Sequence, residues 1–280
     1  MYMRLYNACS IKISKVVTSS YSTSFSYATS LLQKQHRDAI YSIYGFVRLA
    51  DEIVDTFHEN DKKYLLNKFE EDFKDAMKRG ISLNPVLQAF QDTVKKYNIS
   101  PEHIDAFLTS MRYDLEKKEY KTKLEADQYI YGSADVVGLM CLKVFCDGDQ
   151  EKFNELVTPA MKLGSAFQKV NFLRDFREDT ETLGRNYFPE LNSITFCDEG
   201  KQLIVKDIEA DFETAYDGIK QLPGKSKLAV LLAYYYYRLL LNKLKETPAS
   251  VIMQSRVRIP NYQKMLIMVK AKTLYNLRLV

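Results

Sequence analysis

The chain has 280 residues, 46% of them hydrophobic, with 40 Lys+Arg against 36 Asp+Glu for a net charge of +4 and only 10 Gly and 7 Pro. These proportions exclude collagen-like, low-complexity and broadly disordered chains, and the charge surplus is too small to demand nucleic acid as a partner. Four cysteines (Cys9, Cys141, Cys146, Cys197) form no CxxC pair and three histidines (His36, His58, His103) lie far apart. A zinc cage, a disulfide framework and Ser-His-Asp machinery are therefore not expected, the default setting is a reducing cytoplasm, and any metal must be held by oxygen.

In chain order, the amino end is interrupted by Asn7, Lys12 and Lys15 before an apolar stretch reaches the ~7 to 15 residues of an export signal. Helical periodicity then predicts helices over 35–57, over 61–79 ended by Gly80, over 85–97 with Asn84 as cap and Pro85 in first position, and over 101–118 after Ser100. Further helices are expected over 124–146, 151–180, 201–221, 225–246 and 259–276, with a loop at 183–198 and a turn at Leu222-Pro223-Gly224. Gly132 and Gly138 each cost a helix about 1 kcal/mol relative to Ala, which predicts a local break or a close helix approach there. The apolar run 228–237 falls short of the ~20 residues that span a bilayer, so no membrane crossing is expected. The basic, apolar segment 265–280 reads as a packed terminal helix, with a resting place on the inner membrane surface as the alternative. Strict apolar/polar alternation is scarce and no linker or repeat interrupts the chain, so one all-α domain over 1–280 is expected.

Two helical rows carry candidate chemistry. Tyr44, Arg48, Asp51 and Asp55 fall at spacings of four, three and four, and Gln168, Asn171, Asp175 and Asp179 form a second row on the predicted helix 151–180. The bare DxxxD motif is weak: chance gives about 1.3 matches among 19 Asp, and a third match, Asp207/Asp211, lies in an acidic stretch that reads as a solvated face. The first two rows differ because each sits among aromatic and aliphatic residues with a second kind of polar group in register. Salt bridging with Arg48, Arg174 and Arg177 is the structural alternative. If the rows face one another, four carboxylates and an amide oxygen suit Mg²⁺ shared with a diphosphate, whose departure leaves a carbocation that aromatic faces stabilise.

With these residues the chain resembles the squalene/phytoene synthase family. Arg48-x-x-Asp51-Glu52-x-x-Asp55 is similar to its first aspartate-rich motif, and Gln168-x-x-Asn171-x-x-Arg174-Asp175-x-x-Glu178-Asp179 followed by Gly184-Arg185-x-Tyr187-Phe188-Pro189 to its second. Weaker matches are Tyr21-Ser22-Thr23-Ser24-Phe25, Tyr131-Gly132-Ser133-Ala134 with Gly138, Tyr237, and Arg256-Val257-Arg258. The resemblance implies an all-α isoprenoid synthase bundle with a central cavity, in which two allylic isoprenoid diphosphates are joined head to head through a cyclopropylcarbinyl diphosphate. It implies metal binding by Asp51, Asp55, Asn171, Asp175 and Asp179, with the four Asp catalytic. Substrate contact is implied for Tyr21, Ser22, Thr23, Ser24, Tyr44, Arg48, Gln168, Arg174 and Tyr237, and for Arg185 and Arg256 as further diphosphate partners.

Tyr21 departs from the His of several bacterial relatives, Asp135 stands where a small residue is commoner, and Glu52 keeps the charge of a second Asp. The expected cofactor is Mg²⁺, with Mn²⁺ as a substitute. NADPH, which squalene formation requires, is not expected, and no GxG sequence supports a dinucleotide site. The expected function is phytoene formation from two geranylgeranyl diphosphates. Dehydrosqualene or squalene formation from farnesyl diphosphate and a non-catalytic assembly role on the same fold are the alternatives.

Overall fold

The computed structural model describes residues 2–191 and 196–279; residues 192–195 of the expected loop at 183–198 lie outside them. Thirteen α-helices account for most of the described chain, and the one β-bridge among these residues, Glu119 with Asn186, is isolated. The amino end opens with α1 (Tyr2–Tyr21) and α2 (Thr23–Ser30), two helices to which the sequence assigned nothing. The inward face of α1 is unusual for a core helix. It consists of Ser10, Ser14 and Thr18, all fully buried, and Ser14 rests against Gly45, where a Cβ would stand 3.0 Å from its Oγ. An apolar-periodicity reading misses a helix packed through small hydroxyls.

Local signals set the next helices as expected. In α3 (Lys34–Asp55) the inner face buries Ile40, Ile43, Phe46, Ala50 and Ile53. The Asp61 side chain caps α4 (Lys62–Arg79), which Gly80 ends in a left-handed conformation at φ 79°. Asn84 and Pro85 start α5 (Pro85–Tyr97), and Ser100 and Pro101 start α6 (Pro101–Glu116). A capping box of Thr122 and Glu125 opens α7 (Lys123–Ile130).

The predicted helix 124–146 is interrupted. A π-helical turn over Tyr131–Asp135 separates α7 from α8 (Val136–Cys146), and the backbone of this stretch is gripped from two sides. A Cβ on Gly132 would meet Ser110 Oγ at 2.0 Å, and one on Gly164 would meet the Ala134 carbonyl oxygen at 2.8 Å. Break and close approach thus coincide. Residues Lys123–Cys146 are long and apolar enough to cross a membrane by length and composition, with 61% of that window buried inside the bundle.

The longest helix, α9 (Gln150–Arg174), ends six residues earlier than the sequence suggested. Asp175 is its C-cap at φ −99°, ψ 11°, and a second π-helical turn follows over Glu178–Thr182. The row begun by Gln168 and Asn171 therefore bends at Asp175, although its backbone still donates to carbonyls four residues back, Asp175 to Asn171 at 2.8 Å and Asp179 to Asp175 at 2.9 Å. Arg174 and Asp175 bind each other side by side, a pairing that a regular helix disfavours because adjacent residues point to different faces.

A 3-10 turn (Pro189–Leu191) leads to α10 (Asp198–Gln221), α11 (Gly224–Glu246), a short α12 (Ala249–Ile252) and α13 (Asn261–Asn276). The pair Asp207/Asp211 on α10 is not a solvated face. Lys169 of α9 binds both carboxylates, Lys162 binds Asp211 at 2.7 Å, Lys123 binds Asp207 at 3.3 Å, and Asp211 is buried. The acidic stretch is amphipathic, and its inner acids meet lysines spaced along the neighbouring helix.

Two apolar clusters form the core. One gathers α3, α4, α5, α6 and α8 around Phe46, whose ring stacks on Phe90 at 4.0 Å. The other gathers α7, α9, α10 and α11, with Phe172 stacked on Tyr187 at 4.0 Å. A cavity lies between them.

Candidate active site

This cavity has a volume of about 340 Å³ and draws its walls from α2, α3, α8, α9, α10 and α11. Its α9 wall runs from Leu156 to Asn171, roughly 22 Å of helix at 1.5 Å per residue, so it is an elongated channel. Leu142, Phe145, Leu156, Ile219 and Leu222 make it apolar, while polar groups gather where Tyr44, Gln168, Asn171 and Tyr237 line it. There the Tyr237 hydroxyl donates to Asn171 Oδ1 at 3.3 Å, Tyr237 stacks on Phe167 at 4.0 Å, and Tyr44 stacks on Phe25 at 4.8 Å. Burial pushes the Tyr44 hydroxyl up to about 12, so it stays protonated and available as a donor. Buried Ser133 Oγ, on the π-helical turn, has no hydrogen-bond partner among the described residues and belongs to the cavity lining.

Beyond this polar end, the two acidic motifs confront each other, and Arg185 ties them together. Its backbone N–H donates to the Asp179 carbonyl at 2.7 Å, and its guanidinium binds Asp55 at 3.0 Å and the Asp114 carbonyl at 2.8 Å. Arg48 bridges Asp51 and Glu52, both at 2.5 Å, with its guanidinium 4.2 Å above the Tyr21 ring. Asp175 is held by Arg174 and, at 2.7 Å, by Arg256 from the segment after α12. Three of the four predicted catalytic carboxylates are thus paired with arginine. Asp179 is the exception, with no ion pair among the described residues.

The electrostatics follow from this arrangement. Burial, then the charge of Asp55, raises the Asp51 carboxyl to about 7, and Arg48 only partly offsets them. Burial followed by the charge of Asp175 raises Asp179 to about 8, with Asp55 contributing from across the gap. These buried carboxyls, close to one another, resist ionising, a cost that a divalent cation between them relieves. Among the described residues no three His, Cys, Asp or Glu side chains converge as a ready metal cage. The donor set fits a hard cation bound by one or two carboxylates and completed by phosphate oxygens and water, as Mg²⁺ prefers. The second lone pair of the Asn171 oxygen remains free for such a cation.

Other predicted contacts fall elsewhere. The Ser22 side chain caps α2 by accepting from the Phe25 N–H at 3.3 Å, and Tyr21, half-exposed, closes over Arg48. Neither Thr23 nor Ser24 lines the cavity: Thr23 faces a separate groove with Lys15 and Arg37. Asp135 turns to Ser165 at 2.7 Å, and burial raises its carboxyl to about 7.

Asp114 of α6 was not foreseen. Buried, raised by burial to about 7, and bound by Arg185, it also accepts from the Tyr129 hydroxyl at 2.8 and 2.9 Å. A lone Asp far from both motifs carries no sequence signal that it backs one of them.

The squalene/phytoene synthase family model matches residues 18–192. Phytoene synthase 1 of Arabidopsis thaliana is 30% identical over 82% of this chain, and the phytoene synthase of Arthrospira platensis is 27% identical over 92% of it and 90% of its own length. The chain spans 58% of the length of the Arabidopsis protein. Among solved structures, a dehydrosqualene synthase in complex with ligand superposes with a TM-score of 0.83 at 23% identity, covering 96% of this chain and 98% of that one. A squalene synthase from Alicyclobacillus acidocaldarius gives 0.75 at 22% identity, covering 86% and 95%. These likenesses establish a common all-α isoprenoid synthase fold, and with the family match over 18–192 they make this chain a member of the squalene/phytoene synthase family.

Proposed function

We propose that this chain is a prenyltransferase that joins two geranylgeranyl diphosphates head to head, through a cyclopropylcarbinyl diphosphate, to give phytoene with Mg²⁺ as its metal. The observation that carries the reading is the pair of acidic motifs facing each other, linked through Arg185, beside the polar end of a long apolar cavity. The names of the relatives it resembles in sequence, phytoene synthases, favour the C20 substrate. Solved neighbours of the same fold named dehydrosqualene and squalene synthases make farnesyl diphosphate the second reading.

In this mechanism Asp51, Asp55, Asn171, Asp175 and Asp179 would hold the metal, which would supply positive charge to neutralise the diphosphate leaving group. The C–O bond of one substrate breaks, with both electrons leaving on the diphosphate. Arg48, Arg174, Arg185 and Arg256 supply fixed positive charge beside those carboxylates, so the anion departs into a preorganised field. The prenyl cation is left against the faces of Tyr44, Phe25, Phe167 and Tyr237, each worth about 0.5 to 2 kcal/mol in a dry site. The apolar walls exclude the water that would quench it.

Purified protein given both diphosphates with Mg²⁺ is expected to release diphosphate and accumulate a C40 hydrocarbon. A C30 product instead selects the farnesyl reading. No hydrocarbon from either substrate sinks both.

A further inference from the structure

Helical hydroxyls inside this fold find an acceptor close at hand. Ser10, Thr18, Ser42 and Thr93 each donate to the carbonyl four residues back, at 2.8 to 2.9 Å. Ser133 does not. Its oxygen is buried with no hydrogen-bond partner among the described residues, and the carbonyl four residues back, that of Tyr129, accepts instead from Ser110 Oγ at 3.4 Å. Ser133 lies in the π-helical turn Tyr131–Asp135, whose winding departs from the regular four-residue ladder. A buried hydroxyl left unpaired is costly, and this one belongs to the wall of the channel.

The turn is anchored from behind. Its last residue, Asp135, is buried and accepts from Ser165 Oγ of α9 at 2.7 Å. Beside that bond the two backbones meet: a Cβ on Gly164 would stand 2.8 Å from the Ala134 carbonyl oxygen and 3.0 Å from the Asp135 Cα. Burial holds the Asp135 carboxyl well above the ordinary carboxylate range; of the charges facing it, Asp211 adds to the rise while Lys162 and Lys169 oppose it. What the carboxyl gains there is the Ser165 bond, which ties the turn to α9.

These contacts also fix the level of Ser133 along the channel. A Cβ on Gly138 would meet the Ala160 carbonyl oxygen at 2.9 Å, so α8 and the turn before it run antiparallel to α9, with residue 134 beside 164 and 138 beside 160. Ser133 and Ala134 line the channel at the first of these levels, one turn of α9 or about 6 Å inward from Gln168. Gln168 and Asn171 mark the polar end, and Leu142, Phe145 and Leu156 the apolar one. The free hydroxyl stands where a bound substrate passes from charged head to prenyl tail.

We propose that Ser133 is a further substrate contact, its hydroxyl donating a hydrogen bond to the ester oxygen of the departing diphosphate, and that Asp135 with Ser165 positions it. The inference deepens the synthase reading and rests on it. As the C–O bond breaks, both electrons stay on that oxygen, the bond from Ser133 strengthens, and the serine keeps its proton throughout. No hydrogen bond to the protein has to break before the hydroxyl serves the substrate.

Turnover and amide hydrogen exchange of the purified full chain test this together. Ser133→Ala is expected to lower kcat roughly 10- to 10²-fold and to change KM less than about twofold, because the contact is strongest in the transition state. Ser165→Ala cuts the anchor and is expected to speed exchange of amides 131–135 severalfold and to lower kcat about as far. The double variant should fall no further than either single one, since both act on one contact. Asp135→Asn keeps an acceptor oxygen for Ser165 and should match the parent in exchange and rate. A parental kcat in Ser133→Ala removes the contact. Losses that multiply in the double variant, parental exchange in Ser165→Ala, or exchange in Asp135→Asn as fast as in Ser165→Ala remove the positioning role. A parent that makes no hydrocarbon from either substrate removes the synthase reading and the contact with it, and the exchange results then decide the anchor alone.

Discussion

Asp179→Asn is expected to slow product formation by roughly 10²-fold or more and to raise the melting temperature in metal-free buffer. The two effects share one cause. Asp179 is partly buried, faces Asp175 and Asp55, and has no ion pair among the described residues, so its charge destabilises the apo fold. A divalent cation and a diphosphate turn that liability into binding energy; an amide removes both. Burial and the charge of Asp175 lift its carboxyl to about 8 in the folded chain, far above the ordinary carboxylate range, so the native state holds the proton more tightly than the unfolded chain. Stability therefore falls as pH rises from about 4 to about 8, and the loss is complete above that window. Asp51, raised to about 7, adds to the same slope. Melting curves without metal at pH 5 and pH 8.5 check this: the parent should lose more stability than Asp179→Asn. An equal loss means that Asp179 does not carry the strain. Asp175→Asn is expected to bring no such gain, because it strips Arg174 and Arg256 of their carboxylate.

Arg185→Met is expected to cost about 3 to 5 kcal/mol at pH 8, along with activity. The guanidinium is buried and joins three elements: Asp55 at the end of α3, Asp114 on α6 and, through its own backbone, Asp179. Its removal leaves Asp114 with a nearly inaccessible carboxylate that has lost its ion pair and still accepts from the Tyr129 hydroxyl. Burial already raises that carboxyl to about 7 with Arg185 opposing the rise, so the variant's value moves higher still. Asp114 then escapes part of the cost by binding a proton. Urea denaturation should therefore show a smaller deficit at pH 5.5 than at pH 8, and a second substitution, Asp114→Asn, should recover much of it. A deficit independent of pH, with no recovery, would mean that Arg185 acts through packing alone.

How far the sequence could be read depended on whether the signal was local. Cap and proline pairs at Asn84-Pro85 and Ser100-Pro101 gave two helix starts, and Gly80 gave a helix end, because each acts within one turn of chain. The row Tyr44, Arg48, Asp51, Asp55 was legible because it lies on one unbroken helix. The spacing of the second row was legible, but its bend at Asp175 was not. The helix ends where Arg174 and Asp175 pair as neighbours, and no periodicity announces a side-chain pairing that the following π-helical turn makes possible. Asp207 and Asp211 were misread for the converse reason: their lysine partners lie about 40 residues or more away in sequence, so a buried network looked like a solvated acidic face. Asp114 was invisible on the same ground.

The central claim is that the two acidic motifs act jointly, through divalent cations, on one diphosphate, although arginines already occupy three of the carboxylates. Calorimetric binding of a non-reactive prenyl thiodiphosphate, with and without Mg²⁺, to the parent, Asp51→Asn, Asp179→Asn and the double variant measures this directly. The account predicts tight binding only with Mg²⁺, a large loss on changing either motif, and little further loss in the double variant, because residues that act as a unit are not additive. Binding that is as tight without metal, and unaffected by either substitution, would assign the diphosphate to the arginines alone and contradict the account.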